Sequence, residues 1–175
     1  MRWKQFAWKT KRHSALITGI ILLAAIVLLV ALGPLFYPVD PLEQDLDVKF
    51  TPPLSLGSNG TMYILGTDQL GRDVFSRLLN GARLSLLIAV GAILGSVVIG
   101  VVIGLLSGFY GGLADSFFMR VAEAEMAFPF IVLALLLLSV LIAKPMYLIA
   151  VFVLVGWPIY AKIARAQVLS IREEE

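Results

Sequence analysis

Charged side chains set against long apolar runs are where this sequence concentrates its reactive potential. Arg120, Glu123 and Glu125 stand just before Met126-Ala127-Phe128-Pro129. Carboxylates so close to an apolar run are expensive to desolvate, and they serve as ion-pair partners, gating contacts, proton relays or ion sites. Arg120 and Glu123 have the i,i+3 spacing of a helical pair. Both acids lie at the end of the run, within reach of water and headgroups, which favours a structural or gating role over proton relay or ion binding. Asp68, Arg72, Asp73 and Arg77 form a second charged group, and there the i,i+4 spacing lets Asp73 pair with Arg77, although an exposed pair adds little. The lone histidine, His13, sits in a basic tail beside Lys11 and Arg12 and reads as solvated or near lipid headgroups. Covalent and cofactor chemistry find little here. Cysteine is absent, no His-Glu-x-x-His occurs, and no phosphate loop ends in Gly-Lys-Ser/Thr. Ser107, between Gly104 and Gly108, has no intramembrane histidine to act as its base. The expectation is therefore no enzyme, no cofactor, no metal and no nucleic-acid partner.

The elements that carry these residues belong in a bilayer. A mean hydropathy of +0.92 is too apolar for a water-soluble fold of this length, and 15% charged residues is thin polar cover. The runs are continuous rather than alternating, so helices and not a barrel are predicted. They cover Ala15 to Leu32, extending toward Tyr37; Leu84 to about Gly108; Met126 to Ala143, with a helical lead-in from Asp115; and Met146 to about Ala164. The first is too long for a signal peptide's apolar core and lacks a small-x-small cleavage site, so it reads as an uncleaved anchor. Gly111-Gly112 and Lys144-Pro145 mark short connections between antiparallel neighbours. Arg2, Lys4, Lys9, Lys11 and Arg12 place the N-terminus in the cytoplasm, and four crossings return the C-terminus, with Lys162, Arg165 and Arg172, to the same side.

The outer segment from Pro38 to Arg83 begins acid- and proline-rich and regains helical periodicity from Asp68. Val74, Phe75, Leu78, Leu79 and Ala82 share one face, and Arg72, Asp73, Ser76, Arg77 and Asn80 the other. This predicts an interfacial amphipathic helix over residues 66–83. Two readings fit it: a structural lead-in to the second span, or part of a docking surface. In that span, Gly91 and Gly95 lie on one side of an ideal helix and Gly100, Gly104 and Gly108 on nearly the opposite side, which predicts helix neighbours on two sides. Pro129 should free the carbonyl of Glu125 and bend the third helix, and Pro158, within Gly156-Trp157-Pro158, should free that of Leu154 and bend the fourth. Paired bends suit helices that move or line a cavity.

The ordered series of motifs resembles a known family. It comprises Leu65-Gly66-Thr67-Asp68, Gly71-Arg72-Asp73, Ser76-Arg77, Gly81-Ala82-Arg83 and Ser85-Leu86; then Gly108-Phe109-Tyr110-Gly111-Gly112, Asp115, Met119-Arg120 and Ala127-Phe128-Pro129; then Gly156-Trp157-Pro158, Tyr160-Ala161, Arg165, Gln167-Val168-Leu169-Ser170 and Arg172-Glu173. The chain is similar to permease subunits of bacterial ABC importers for dipeptides, oligopeptides and nickel, and within them to the C-type permease. The resemblance implies an all-α polytopic helical bundle, the N-terminal part of an ABC type I permease fold, with residues 1–65 as tail, first span and outer loop, 66–83 as the interfacial helix, and 84–175 as the first part of the binding-protein-dependent permease domain. It implies a passive pathway subunit of the inner membrane, partnered by a second homologous permease, two cytoplasmic ATPases, an extracytoplasmic substrate-binding protein and the lipid bilayer. It implies that Glu123, Phe128, Pro129, Trp157 and Pro158 are pathway or gating candidates. The family usually has Asp at the position of Glu123 and an apolar residue at that of Glu125. Its ATPase-docking segment and further helices come after the position of Glu175, so the chain reads as the N-terminal part of a permease. The alternative is a non-transporting membrane fragment or a small scaffold or assembly protein.

Overall fold

The computed structural model describes residues 2–57, 60–141 and 144–174, with side chains described over 14–57, 60–141 and 144–172. His13 and the tail cations Arg2, Lys4, Lys9, Lys11 and Arg12 lie outside the described side chains, as does Glu173, and Ala143 lies outside the described residues. The chain divides into two compact units, Met1–Arg83 and Leu84–Glu175.

The first unit starts with α1 (Arg2–Phe36), whose apolar stretch Ser14–Phe36 is long enough to cross a membrane. Its leucines and isoleucines are exposed almost throughout, the reverse of a soluble helix and the expected state of a lipid-facing one. A short 3₁₀ turn (Leu46–Val48) and a two-stranded antiparallel ribbon follow, β1 (Ser55–Leu56) with β2 (Met62–Tyr63), in the register Ser55↔Tyr63 and Leu56↔Met62. The helix α2 (Val74–Tyr110) then begins. Its start is later than the periodicity from Asp68 predicts. Residues 68–73 form a tight turn closed by an isolated bridge between Thr67 and Asp73, and Asp73 caps the helix. The Asp73 carboxylate accepts from the amides of Phe75 (2.7 Å) and Ser76 (3.3 Å), the two donors an N-cap is placed to satisfy. The amphipathic residues Val74 to Ala82 make up the first turns of α2, which is one helix from Val74 to Tyr110. Leu79 is buried against the end of α1, where a Cβ on Gly33 would lie 2.9 Å from both its methyl carbons.

The second unit holds the rest of α2, then α3 (Gly112–Met126), α4 (Phe130–Val140) and α5 (Pro145–Glu174). At Pro129 the expected bend is a complete break, with α3 and α4 meeting at 92°. The amides of Ala127 and Phe128 turn back to the carbonyls of Glu123 (3.0 Å) and Glu125 (3.1 Å), which ends α3. Pro129 itself is extended (φ −58°, ψ 126°), and its carbonyl accepts from Val132 and Leu133 to open α4. So the Glu125 carbonyl that proline was expected to free is satisfied by the turn, and the chain changes direction instead of curving. By contrast α5 runs unbroken through Pro158. Among the described residues three helices are long and apolar enough to cross a membrane, and four crossings result if α3 and α4 count as one broken span.

Packing in this unit centres on α5. Ala134 of α4 is buried with Val151 and Val155, and Ala122 of α3 with Trp157 and Ala161. Gly91, Gly95, Gly100, Gly104 and Gly108 of α2 all face α5 as well, which corrects the expectation of two opposed neighbours. A Cβ on Gly91 would lie 3.1 Å from Ile149, one on Gly95 would collide with Val153, and one on Gly100 would lie 2.5 Å from the carbonyl oxygen of Trp157. One on Gly104 would collide with the carbonyl of Ala161, and one on Gly108 would lie 2.8 Å from Val168. Residue numbers rise together along both helices, so α2 and α5 run parallel. Glycines spaced four or five apart trace a line that winds slowly around a helix of about 3.6 residues per turn, and a crossing partner follows that line. Two straight faces do not describe such a winding line.

Candidate functional site

Two clusters hold the polar residues singled out above, one in each unit. In the first unit the Gly66 to Asp73 motif is locked internally. Both carboxylate oxygens of Asp68 are occupied. Oδ1 accepts from the amides of Leu70 (2.8 Å) and Arg72 (3.1 Å), and Oδ2 from the guanidinium of Arg72 (Nε at 2.9 Å) and from Arg77. Desolvation pulls this carboxyl upward, but the hydrogen bonds and positive charge of Arg72 and the amide of Leu70 outweigh it and hold the group at about 2. Arg77 therefore pairs with Asp68 and not with Asp73, the partner that i,i+4 spacing allows. Asp73 is engaged as a helix cap and accepts from the hydroxyl of Tyr37, which also lies 2.8 Å from the carbonyl of Met62. Burial, and then the bond to Asp73 and its negative charge, push the Tyr37 hydroxyl well above its ordinary value, so it stays a neutral donor. Thr67 accepts from the Thr51 amide at 2.9 Å and donates to the Val48 carbonyl.

Glycine is required at two points of this motif. Gly66 (φ +77°) and Gly71 (φ +72°) adopt left-handed conformations, and a Cβ on either would collide with backbone, at Thr51 and Asp45 respectively. Arg83 is exposed at the end of the unit. These contacts bind the 45–51 segment and the end of α1 to the start of α2.

In the second unit the broken helix pair and α5 line an open pocket of about 200 Å³, formed by Glu125, Met126, Phe128, Phe130, Val155, Pro158 and Ile159. An adjoining groove of about 300 Å³ shares Phe130 and Ile159 and extends along Ala92, Ser96, Phe152 and Tyr160. Phe130 stacks on Phe152 between them, with ring centroids 5.9 Å apart. Trp157 is buried and its indole N–H donates to Oε2 of Glu125 at 3.0 Å. The other oxygen, Oε1, is buried with no hydrogen-bond partner among the described residues.

Of the sequence-derived candidates, Phe128 and Pro158 thus line one cavity, and Trp157 orients its acid from behind. Pro129 makes the break that shapes it. Glu123 is elsewhere: its side chain is 55% exposed and 3.9 Å from Arg120, the pairing predicted from spacing. The carboxylate at the cavity is Glu125, which sequence reasoning had set aside. The available signal was spacing: Glu125 stands three residues before Phe128 and four before Pro129, while Glu123 lies two residues further round the helix.

Ion pairing ties the far end of the unit together. Arg165 of α5 grips Asp115 in the first turn of α3 through two parallel bonds, Nε to Oδ1 at 2.5 Å and Nη2 to Oδ2 at 2.6 Å. Arg172 donates to the carbonyls of Gly108 (3.1 Å) and Phe109 (3.5 Å) at the end of α2.

Residues 2–53 match the N-terminal TM domain of oligopeptide transport permease C, and residues 100–175 match the binding-protein-dependent transport system inner membrane component. The chain is 34% identical over 168 residues to the di/tripeptide transport system permease protein DppC of Pseudomonas aeruginosa, covering 95% of this chain and 55% of that one. It is 30% identical over 173 residues to the dipeptide transport system permease protein DppC of Alkalihalophilus pseudofirmus, covering 99% and 55%. It is 32% identical over 176 residues to that of Bacillus subtilis, covering 100% and 53%. The chain spans about half the length of these curated relatives. Both matches fall in order along one polytopic helical framework, so the chain is similar from end to end to C-type permeases of binding-protein-dependent transport systems.

Proposed function

We propose that the chain forms part of the translocation pathway of an ATP-driven importer that carries peptides or a related small solute across the bacterial inner membrane. The observation that supports this most is the similarity along 95–100% of the chain to permeases named for di- and tripeptides. In this reading a second homologous permease completes the pathway, two cytoplasmic ATPases drive it, and an extracytoplasmic binding protein delivers the solute. The chain hydrolyses no ATP itself. Its N- and C-termini face the cytoplasm, as the tail cations and Lys162, Arg165 and Arg172 favour.

Alternating access follows when ATP and the loaded receptor bind inward- and outward-facing states with different affinity. The elements suited to move are those around the Pro129 break, where α3 and α4 are joined by three residues and no continuous backbone ladder. Phe128, Pro129, Trp157 and Pro158 then stand on the pathway side, Glu123 takes part in gating through Arg120, and the α2 glycines keep α5 fixed. The test is affinity isolation of the complete gene product from its native membranes, followed by reconstitution. A second permease and ATP-binding subunits should co-purify, and proteoliposomes should take up a labelled dipeptide only with ATP and the binding protein. Recovery of the chain without ATP-binding subunits refutes the proposal.

A further inference from the structure

We propose that the cavity between the Pro129 break and α5 is a binding site for a primary ammonium group carrying a small apolar substituent. Three observations converge on it. First, the carboxylate of Glu125 is half satisfied: the Trp157 indole N–H holds Oε2, while Oε1 is buried without a partner among the described residues. A buried carboxyl oxygen left without a partner is disfavoured, so the site has a place for a donor. Second, the wall is apolar and aromatic. Phe128 and Phe130 place aromatic rings, which attract cations, in the lining, and Met126, Val155, Pro158 and Ile159 offer surface to an aliphatic or aromatic stem. Third, the carboxylate cannot easily turn away. Trp157 is buried in a cluster with Ala122 and Ala161, which fixes the indole and through it the acid.

The chemistry excludes other occupants. An anion meets the carboxylate and no cation in the lining. A divalent metal needs several oxygen or nitrogen ligands, and among the described residues no group of three His, Cys, Asp or Glu gathers anywhere. One carboxylate against an apolar wall matches a monovalent –NH₃⁺ on a hydrocarbon. The volume, about 200 Å³, is below the range of about 300–1,000 Å³ typical of drug-sized ligands, so the site takes one residue-sized group and not an entire peptide. As a statement about cargo, that this group is the amino end of a transported solute, the inference rests on the importer reading. As a statement about ligand chemistry it does not.

The test uses the complete gene product in detergent or lipid nanodiscs, with 2-phenylethylammonium as probe and 2-phenylethanol as its uncharged counterpart. With every other tryptophan of the gene product replaced by phenylalanine, Trp3 and Trp8 among them, Trp157 is the remaining reporter, read by its fluorescence and by the NMR signal of its indole N–H. The amine should shift both signals saturably. The alcohol should bind at least about tenfold more weakly, the difference expected when a charge-assisted hydrogen bond is lost. Glu125→Gln should reduce amine affinity by a similar factor. Glu125→Leu, which suits the apolar lining, should abolish it, and an unchanged elution profile checks that the variant is folded. Equal binding of amine and alcohol, or an unaltered affinity in Glu125→Gln, overturns the proposal. Uptake by the reconstituted transporter separates the two readings. Uptake without amine binding removes this site and leaves the importer. Amine binding in a protein that recruits no ATPase keeps the site and removes its link to cargo.

Discussion

Replacing Gly100 by alanine gives a quantitative check on how α2 and α5 meet. The added methyl would lie 2.5 Å from the Trp157 carbonyl oxygen, 2.7 Å from Tyr160 Cβ and 3.0 Å from the Ala161 nitrogen. An ordinary carbon–oxygen contact is about 3.3–3.6 Å, so the shortfall is about 1 Å, and two of these three atoms are backbone that no rotamer change can move. The helices must separate, and a gap of about 0.5–1 Å forfeits roughly a quarter to a half of each contact's attraction along the seam. Overpacking of this kind costs about 1–3 kcal/mol. Against it stands the gain in helix propensity from glycine to alanine, about 0.8–1.0 kcal/mol. Gly81, in the same helix, is the control: a Cβ there meets nothing within 4 Å, so only the propensity gain applies. Gly81→Ala should therefore be neutral or stabilising, and Gly100→Ala should fall below it by about 1–3 kcal/mol. Unfolding by sodium dodecyl sulfate from bicelles, followed by tryptophan fluorescence and far-ultraviolet circular dichroism, measures the difference. Equal stability of the two variants, or greater stability of Gly100→Ala, refutes the close backbone approach.

Arg165→Lys should destabilise the second unit by about 1 kcal/mol in the same assay, because a lysine ammonium cannot reproduce the paired bonds to Asp115; full retention would show that one point charge suffices. The Asp68 carboxyl is depressed from 3.8 to about 2 in the folded loop, so its stabilisation is complete above about pH 4 and is lost as pH falls toward 2. Limited proteolysis of the 38–73 segment with pepsin should accelerate across that window, and in Asp68→Asn cleavage should be fast at both ends of it; a wild-type rate that is flat across the window counts against the assignment. Pro129→Ala in the complete transporter should let the chain continue helically through the break and reduce dipeptide uptake several-fold, while unchanged uptake removes the break from the pathway.

Much of this architecture was legible in the residues, and the failures share a cause. The apolar runs at Ala15, Leu84 and Met146 located their helices because lipid asks for the same continuous pattern that the eye detects. The local spacing rules did less well wherever a residue had a stronger distant partner. Asp73 and Arg77 have the spacing of a helical pair, yet Asp73 precedes the helix and caps it, and Arg77 reaches back to Asp68. Arg120 and Glu123 are exposed and have no such competitor, and there the i,i+3 expectation matches the observed pair. Pro129 announced a disturbance, but its extent depended on the amides of Ala127 and Phe128 finding other carbonyls. The pairing of Glu125 with Trp157 joins residues of different helices and carries no local signature at all.

The bonds from Arg172 have a further electrostatic meaning. Because α2 and α5 run parallel with their backbones in close approach, their C-terminal ends, each with about half a negative charge from unpaired carbonyls, come near one another. Such alignment is self-repelling, and more so in a medium that screens poorly. Arg172 belongs to the last turn of α5 and donates to the final carbonyls of α2, so one guanidinium counters both poles. The glycine seam and this cation are therefore complementary: the seam draws two like dipoles together, and the arginine makes their proximity tolerable at the end where they would most resist it.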